Sequence, residues 1–201
     1  MLKEYLGIDH TKNGWLETQE LSHDFWRNPD STNLPEEYAK HEDRSAYILK
    51  QFRDFDIDPN AKILEIGCNC GRNLNYLEGA GYKNLTGIEI NEDAIEFGKN
   101  FYKNDNYKVI NSPVENIIDG LGNFDLIFTC AVLMHIHPQQ ADYVFTTMRK
   151  IANKIIIIED TLVNRDYKAI FEQDGLMLIR EELTKYFIPC PTKMITQVFV
   201  K

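Results

Sequence analysis

The sequence has no apolar stretch long enough to cross a membrane, and it contains few cysteines. Its longest apolar runs, such as IIII at 155–158, fall far short of the ~20 residues that a membrane-spanning helix needs. The N-terminal sequence MLKEYLGIDHTKNG lacks the apolar core of a secretion signal. Four cysteines in a chain without such a signal are typical of free thiols in a reducing compartment. We therefore expect a soluble, cytoplasmic protein with no membrane partner.

An excess of basic residues is also missing. The 22 lysines and arginines are outnumbered by 31 acidic residues, which leaves a formal net charge of −9. A negative field repels phosphate backbones, so nucleic acid is not an expected partner. The 201 residues contain no internal repeat and no linker rich in Gly, Ser or Pro, and this length suits one hydrophobic core. We predict one main domain over residues 35–201, preceded by a polar, irregular segment over residues 1–34.

From Pro35 onward, apolar runs of strand length alternate with helical patterns. Predicted strands cover residues 62–66, 85–90, 107–110, 124–129, 154–160, 176–182 and 194–201, and predicted helices include residues 35–55, 138–152 and 164–175. This alternation implies right-handed crossovers between parallel strands, with helices on both faces. The last two strands have no helical pattern between them, which predicts an antiparallel ending. The expected fold is α/β: a Rossmann-like, doubly wound, mostly parallel seven-stranded sheet with an antiparallel C-terminal strand.

The turn in ILEIGCNCGRNL (63–74) follows the first predicted strand, where such sheets bind ligands. Its cysteines, Cys68 and Cys70, suggest a metal site as one interpretation. However, a C-x-C pair supplies only two ligands, and no second Cys/His pair follows at a zinc-like spacing. The HIH sequence at 135–137 is the remaining candidate, and alternate side chains of an extended segment diverge. We predict no metal here, and two small thiols packed within the turn.

The glycines of this turn raise the alternative of a dinucleotide. The G-x-G-x-x-G pattern of NAD enzymes fails, because Asn69 and Arg72 occupy the second and third glycine positions. The pattern present is E-x-G-x-x-x-G, followed 18 residues after Gly71 by Glu89 at the end of the second predicted strand. A carboxylate there can accept hydrogen bonds from both hydroxyls of a ribose. A ligand with a ribose and no phosphate, such as S-adenosylmethionine, therefore fits this pattern better than NAD.

Four segments resemble, in order and spacing, the motif series of class I S-adenosylmethionine-dependent methyltransferases. They are ILEIGCNCGRNL, LTGIEIN, NSPVENI and FDLIFTCAVLMHIHPQ. The resemblance runs from about Pro35 to the C-terminus and implies both the cofactor and methyl transfer. More narrowly, the first and last of these segments, with ANKIIIIED, resemble methylases associated with the biosynthesis of pseudaminic acid and related surface sugars. That resemblance implies a small-molecule acceptor, such as a hydroxyl of a sugar or sugar nucleotide.

The resemblance also assigns cofactor-binding positions. The ribose hydroxyls would be bound by Glu89, and the adenine would pack on Ile90. The positions assigned to the methionine and ribose portions are Glu65, Gly67, Asn69 and Gly71; those beside the adenine edge are Ser112, Pro113 and Val114; those on the methionine side are Thr129 and Cys130. Asn69 departs from the glycine common in the family, but asparagine tolerates left-handed backbone angles. Ordinary roles compete with these assignments, since Glu65 could cap the next helix, and Ile90 and Val114 could be core residues.

A hydroxyl acceptor needs a base to receive its proton. His135 is our first candidate, since it follows the fourth strand near the cofactor's methionine end, and histidine titrates near neutral pH. Packing at the start of the next helix explains it equally well. Glu159 and Asp160 end the fifth strand and could hold the acceptor or satisfy backbone donors, while His137 suits a helix-entry position.

The first aromatic residues leave two interpretations open, a lid over an acceptor pocket or ordinary packing. They are Tyr5, Trp15, Phe25, Trp26 and Tyr38. The leading hypothesis is a methyltransferase acting on a small molecule. The alternatives are a protein that binds S-adenosylmethionine without catalysis and, less favoured, an NAD-dependent oxidoreductase; a protein or peptide acceptor also stays open. The sequence does not indicate the oligomeric state.

Overall fold

The structure is a computed structural model that describes residues 18–29, 33–160, 165–184 and 194–201. Tyr5 and Trp15, two of the predicted lid aromatics, lie outside the described residues. The described part of the chain contains no helix of the length and apolar character required to cross a membrane.

A seven-stranded sheet forms the centre of the protein, in the order β3-β2-β1-β4-β5-β7-β6. The strands are β1 (Lys62–Ile66), β2 (Asn84–Glu89), β3 (Lys108–Asn111), β4 (Phe124–Cys130), β5 (Ala152–Asp160), β6 (Met177–Leu183) and β7 (Met194–Val200). The first five strands pair in parallel, and β7 pairs antiparallel with both β5 and β6. The predicted fold, including the antiparallel C-terminal strand, is confirmed.

The helices differ from the sequence prediction in three places. They are α1 (Gln19–Arg27), α2 (Pro35–Ala39), α3 (Glu42–Asp54), α4 (Arg72–Gly79), α5 (Glu92–Tyr102), α6 (Pro138–Ile151) and α7 (Tyr167–Phe171). Residues 19–27, predicted to be irregular, are helical, with Thr18 accepting from the Leu21 N–H. The helix predicted over 35–55 is divided in two, and the one predicted over 164–175 is a short helix.

The break between α2 and α3 has a physical reason. His41 leaves the helical region, with φ −94° and ψ 58°. At this break the buried Arg72 Nη1 donates to the carbonyl oxygen of Tyr38 at 2.7 Å. The guanidinium thereby joins the helix ending to the start of α4, so a tertiary contact overrides the local helical pattern.

The core divides into two layers, one on each face of the sheet. Within β5, Ile155 and Ile157 belong to the cluster on one face, and Ile156 and Ile158 to the cluster on the other. All four are essentially inaccessible to solvent, which explains why this run does not alternate with polar residues. This double burial fixes the parallel strands in register, so that the carboxyl ends of β1, β2, β4 and β5 meet along one edge.

Candidate active site

The loop between β1 and α4, residues 67–71, begins in a conformation that favours glycine. Gly67 has φ +70°, and a Cβ there would lie 2.5 Å from Val132 Cγ2. Asn69 is also left-handed, with φ 48°, as its small polar side chain allows. Its Oδ1 accepts from the Cys70 N–H at 2.8 Å, which stabilises the turn. Asparagine therefore replaces the usual glycine without opening the loop.

Two glycines elsewhere in the chain make room for this loop. A Cβ on Gly98, in α5, would lie 2.0 Å from the Cys70 carbonyl oxygen, and one on Gly87, in β2, would lie 2.5 Å from Cys68 Sγ. Both thiols are buried, and burial raises the pKa of each. Among the described residues, no group of three or more His, Cys, Asp or Glu side chains is arranged to hold a metal ion. The burial of both thiols supports the interpretation of Cys68 and Cys70 as packing residues.

All five N–H groups of this loop are used within the protein. Those of Gly67 and Cys68 donate to the Ile88 carbonyl oxygen at 2.8 and 3.0 Å, and that of Gly71 donates to the Cys68 carbonyl oxygen at 2.9 Å. The Cys70 N–H is bound by Asn69 Oδ1, and the Asn69 N–H donates to Glu89 Oε2 at 2.8 Å. A pyrophosphate at this position would need free N–H groups. The geometry thus argues against NAD.

Glu89 both shapes the loop and faces the pocket. Its side chain is only 8% exposed, and burial raises the pKa of its carboxyl. Oε2 accepts from the Asn69 N–H and Oε1 from the Asn91 N–H, each at 2.8 Å. A carboxylate has about four acceptor positions, so capacity remains for a further donor such as a ribose hydroxyl.

The pocket lies between the carboxyl edge of the sheet and α1. Its volume is about 900 Å³ with its open mouth included. Nine predicted site residues line it: Gly67, Asn69, Glu89, Ile90, Ser112, Pro113, Val114, Cys130 and His135. Glu65, Gly71 and Thr129 do not line it. The first and last of these are buried, which leaves them in supporting positions.

Glu65 lies in a buried polar cluster. Its Oε1 accepts from Asn73 Nδ2 at 2.6 Å, and Asn73 is bonded in turn to Ser45 and Arg72. Its Oε2 has no hydrogen-bond partner among the described residues. The carboxyl is 1% exposed, and burial raises its pKa to about 8. An orphaned acidic oxygen beside the loop fits a cationic or hydrogen-bond-donating ligand group.

Beyond β4 the chain forms a short turn, Leu133–His135, that carries the candidate base. His135 lines the pocket, and the centroid of its ring lies 4.4 Å from that of Trp26. His137 caps α6, with Nδ1 accepting from the Gln139 N–H at 3.3 Å, as expected for a helix-entry residue.

Glu159, a second candidate base, is fully buried beneath this turn. Its Oε1 accepts from the Thr129 hydroxyl at 2.9 Å and from the N–H groups of Val132 and Leu133 at 3.1 and 3.0 Å. Burial raises the pKa of Glu159 to about 7. Asp160 is 6% exposed and likewise does not line the pocket. The geometry therefore favours His135 over both carboxyls as the group that faces an acceptor.

Helix α1 covers the pocket, and we call its residues Gln19, Ser22, His23 and Trp26 the roof. His23 Nε2 lies 2.8 Å from Glu115 Oε1, and Gln19 Nε2 donates to the same oxygen at 2.6 Å. Sequence reasoning missed His23 and Glu115. The signal that was available is the i, i+4, i+7 spacing of Gln19, His23 and Trp26, which places them on one helix face.

The fold and the geometry of the pocket are consistent with the methyltransferase class that the sequence motifs resemble. Comparison with known proteins agrees: the sequence model of the family described as methyltransferase domain matches residues 63–154. The match covers somewhat less than half of the chain and agrees with the enzyme class predicted from the motifs. The site also fits the predicted cofactor, because Glu89, which suits a ribose, and Ile90 and Val114, which suit an adenine, all line the pocket.

Individual proteins similar to this chain match it at low identity or over a short segment. The chain is 26% identical over 151 residues to 235L of Invertebrate iridescent virus 6, a methyltransferase by name, and covers 52% of that protein. It is 33% identical over 72 residues, 36% of its own length, to EEF1A lysine methyltransferase 2 of Danio rerio, and covers 31% of that protein. The chain thus spans about half or less of the length of these curated relatives; the viral match covers 74% of this chain.

Among solved structures, the magnesium protoporphyrin IX methyltransferase of Synechocystis PCC 6803 has the same fold. It superposes with a TM-score of 0.71 at 14% identity, covering 92% of this chain and 98% of that one. That enzyme was crystallised with S-adenosylmethionine and, in a second structure, with S-adenosylhomocysteine.

Proposed function

We propose that this protein transfers a methyl group from S-adenosylmethionine to a hydroxyl of a small molecule, such as a sugar or sugar nucleotide. The observation that carries the cofactor assignment is the loop 67–71, whose N–H groups are all bonded internally beside the carboxyl of Glu89. Such a loop accommodates a ribose and rejects a pyrophosphate. The resemblance to pseudaminic-acid-associated methylases supports the sugar class and a role in surface-polysaccharide biosynthesis.

Most of the residues that would hold the cofactor line the pocket, and Glu65, Gly71 and Thr129 would support them from behind. Glu89 would bind the ribose hydroxyls, and Ile90 and Val114 would pack on the adenine, with Ser112 and Pro113 beside its edge. On the methionine side the assigned positions are Gly67, Asn69, Gly71, Thr129 and Cys130, with Glu65 near the amino group. The cofactor supplies a methyl group already activated on a sulfonium.

The protein's own contribution is alignment, exclusion of water and removal of a proton. Orienting two reactants can be worth ~7–11 kcal/mol of the barrier. His135 would take the proton of the acceptor hydroxyl, a step typically worth about 10²–10⁴-fold in rate. The roof, defined above on α1, separates this part of the pocket from solvent.

Two features favour a small, oxygen-rich acceptor. Trp26 lines the pocket, and its buried Nε1 has no hydrogen-bond partner among the described residues, so it can donate to an acceptor oxygen. Asn33 and Tyr38 add polar groups to the same wall.

Acceptors differ among the similar proteins, as the names of a lysine methyltransferase and a porphyrin methyltransferase indicate, so the acceptor is a proposal for this chain. The net charge of −9 disfavours nucleic acid. The cytoplasmic location stays a prediction.

The test of the cofactor is calorimetric titration with S-adenosylmethionine, S-adenosylhomocysteine and NAD. We expect saturable binding of the first two and none of NAD. Glu89→Gln should weaken binding by about 10- to 100-fold, because hydrogen bonds to a charged group contribute roughly 1.5–3 kcal/mol. Glu92→Gln, which changes an exposed carboxylate on α5, is the matched control and should bind normally. Binding of NAD alone would overturn the proposal.

The test of the acceptor is formation of S-adenosylhomocysteine in the presence of sugar nucleotides. Turnover with a hydroxylated sugar, reduced in His135→Gln while cofactor affinity is kept, would support the whole proposal. Tight cofactor binding without turnover across sugars, small aromatic alcohols and peptides would instead favour the non-catalytic alternative.

A further inference from the structure

The turn that carries His135 is held at both ends by side chains from β5 and the segment after it. Its leading N–H groups are bound by Glu159, and the carbonyl groups on either side of His135 are bound by Arg165. We call Glu159 and Arg165 the clamp. Neither residue lines the pocket, so Arg165 would act on an acceptor through the turn, and Glu159 through the turn and through Thr129, which it also binds.

Glu159 gathers the N–H groups of three successive residues. Oε1 binds those of Val132 and Leu133 at 3.1 and 3.0 Å, and Oε2 lies 3.4 Å from the Met134 nitrogen. The Thr129 hydroxyl donates to Oε1 at 2.9 Å and holds the carboxylate in place. Three N–H groups pointing at one carboxylate leave the start of the turn little freedom to rotate.

Arg165 completes the clamp from the other side. Nη1 donates to the Leu133 carbonyl oxygen and Nη2 to that of Ile136, the latter at 2.6 Å. The guanidinium also lies over the ring of Phe145, with 5.4 Å from Cζ to the centroid. Because the guanidinium fork is planar and rigid, it holds the two carbonyl groups at a set separation with His135 between them.

The entry to the turn is strained. Ala131 has φ 59°, a left-handed conformation that is uncommon for a residue other than glycine, and its N–H donates to the Ile158 carbonyl oxygen at 2.7 Å. Backbone strain persists where the surroundings over-determine it, and it concentrates at functional sites. Burying the carboxyl of Glu159 is likewise a costly way to stabilise a turn that apolar packing could hold.

We propose that Glu159 and Arg165 are positioning residues that orient the imidazole of His135 toward the acceptor. This inference rests on the proposed function, in which His135 takes the acceptor's proton. A displacement of about 1 Å at a reacting group can cost on the order of 100-fold in rate, so a clamp that fixes three backbone positions has a measurable catalytic effect. The clamp also explains why Glu159 ends a buried strand and yet does not face the pocket.

The variants are Glu159→Gln, which keeps the volume and removes the charge, and Arg165→Lys, which keeps the charge and removes the fork. The matched control is Arg149→Lys. Arg149 is a buried arginine that, like Arg165, donates to a backbone carbonyl: it is bonded to the Ile170 carbonyl oxygen at 2.9 Å and to Asp174 at 2.8 Å, and it does not line the pocket. This control measures how far kcat and the His135 signals change when a guanidinium is lost away from the turn.

Methyl transfer is measured first, with the affinity for S-adenosylhomocysteine beside it. We expect kcat to fall at least about 10-fold in Glu159→Gln and Arg165→Lys, with the dissociation constant of S-adenosylhomocysteine changed less than about twofold. Arg149→Lys should keep kcat. Combined with His135→Gln, each clamp variant should reduce kcat by less than about twofold further, because its effect passes through His135. If the loss of kcat in a double variant equals the product of the losses in its two single variants, the proposal is overturned.

A second measurement needs no turnover. The protein has five histidines, each with ring signals in a nitrogen-15 spectrum. The signals that disappear in the His135→Gln variant are those of His135. They should shift or broaden in both clamp variants and stay unchanged in Arg149→Lys. Unchanged signals in both clamp variants would overturn the proposal even if no acceptor is found. Failure to bind S-adenosylmethionine would, by contrast, count against the proposed function and leave this spectral test intact.

Discussion

The two halves of the pocket are built in different ways. The cofactor half consists of the loop 67–71, Glu89 and the segment after β3, and its contacts are mostly backbone bonds between adjacent strands. The acceptor half joins side chains far apart in the chain: His23 and Glu115 are separated by 92 residues, and Gln19 and Gln140 by 121. In the proposed function, a cofactor common to many enzymes would be met by local backbone geometry, and the acceptor by long-range side-chain contacts.

The largest effect is expected from a substitution in the cofactor half, at Gly67. Gly67→Ala should lower the affinity for S-adenosylhomocysteine by more than about 100-fold and destabilise the fold by roughly 1–3 kcal/mol, because the new methyl group meets Val132 and the backbone is left-handed. Calorimetry and urea unfolding measure the two quantities.

The control for this prediction is Gly79→Ala. A Cβ on Gly79 has no atom within 4 Å, and its φ is not left-handed, so both quantities should change little. Equal losses in the two variants would show that the loop does not depend on the conformation of Gly67.

A smaller effect should be confined to the acceptor half. Trp26→Ala should raise the KM for the acceptor by about 10-fold through loss of the ring and its N–H, a buried donor contributing roughly 1–3 kcal/mol. Cofactor affinity should stay within about twofold. Trp26→Phe separates the ring from the N–H, and Leu21→Ala, an exposed residue of the same helix, serves as control. A matching loss of cofactor affinity would mean that the halves are not independent.

The last prediction concerns Glu65, which is buried beneath the cofactor half, and the pH dependence of the protein's stability. Burial raises the pKa of Glu65 to about 8, so the folded protein keeps a proton that the unfolded chain loses above the ordinary value of 4.5. The stability that this proton contributes is present below that value and is lost as pH rises through the folded pKa, by up to about 1.4 kcal/mol per pH unit. Glu65→Gln cannot titrate, so its stability should decline less steeply over this range.

Urea unfolding of both proteins across the neutral range measures this difference. Glu159, with a pKa raised to about 7, has the same sign and is present in both proteins, so it cancels in the comparison. Parallel stability profiles would show that the carboxyl of Glu65 is already ionised in the folded state.

The same contrast explains what the sequence could predict. The strands and the loop were predictable because their signals are local: the continuous apolar run at 155–158, and the glycine and asparagine positions around Gly67. The left-handed conformation of Asn69 was expected from its residue type. Gly98 carried no such signal, because its importance lies in contact with Cys70 across the fold.

The acceptor half was less predictable for a related reason. His135 was identified from its position after β4, but α1 was expected to be irregular because its polar residues form few local apolar pairs. Its contacts with Glu115 and Gln140 exist only once the sheet is assembled. The roles of Glu159 and Arg165 likewise depend on where the turn after β4 crosses β5.

The position of β7 has a consequence for biosynthesis. This strand is made after the other six, yet it occupies an interior place in the sheet, paired with β5 along Lys154–Asp160 and with β6 on its other side. Until it emerges from the ribosome, the four isoleucines of β5 border an unpaired edge, the kind of apolar edge that recruits other chains. A nascent or truncated chain that stops before Met194 should therefore aggregate rather than stay monomeric. Synthesis of β7 removes this risk, because β7 pairs with the open edges of β5 and β6.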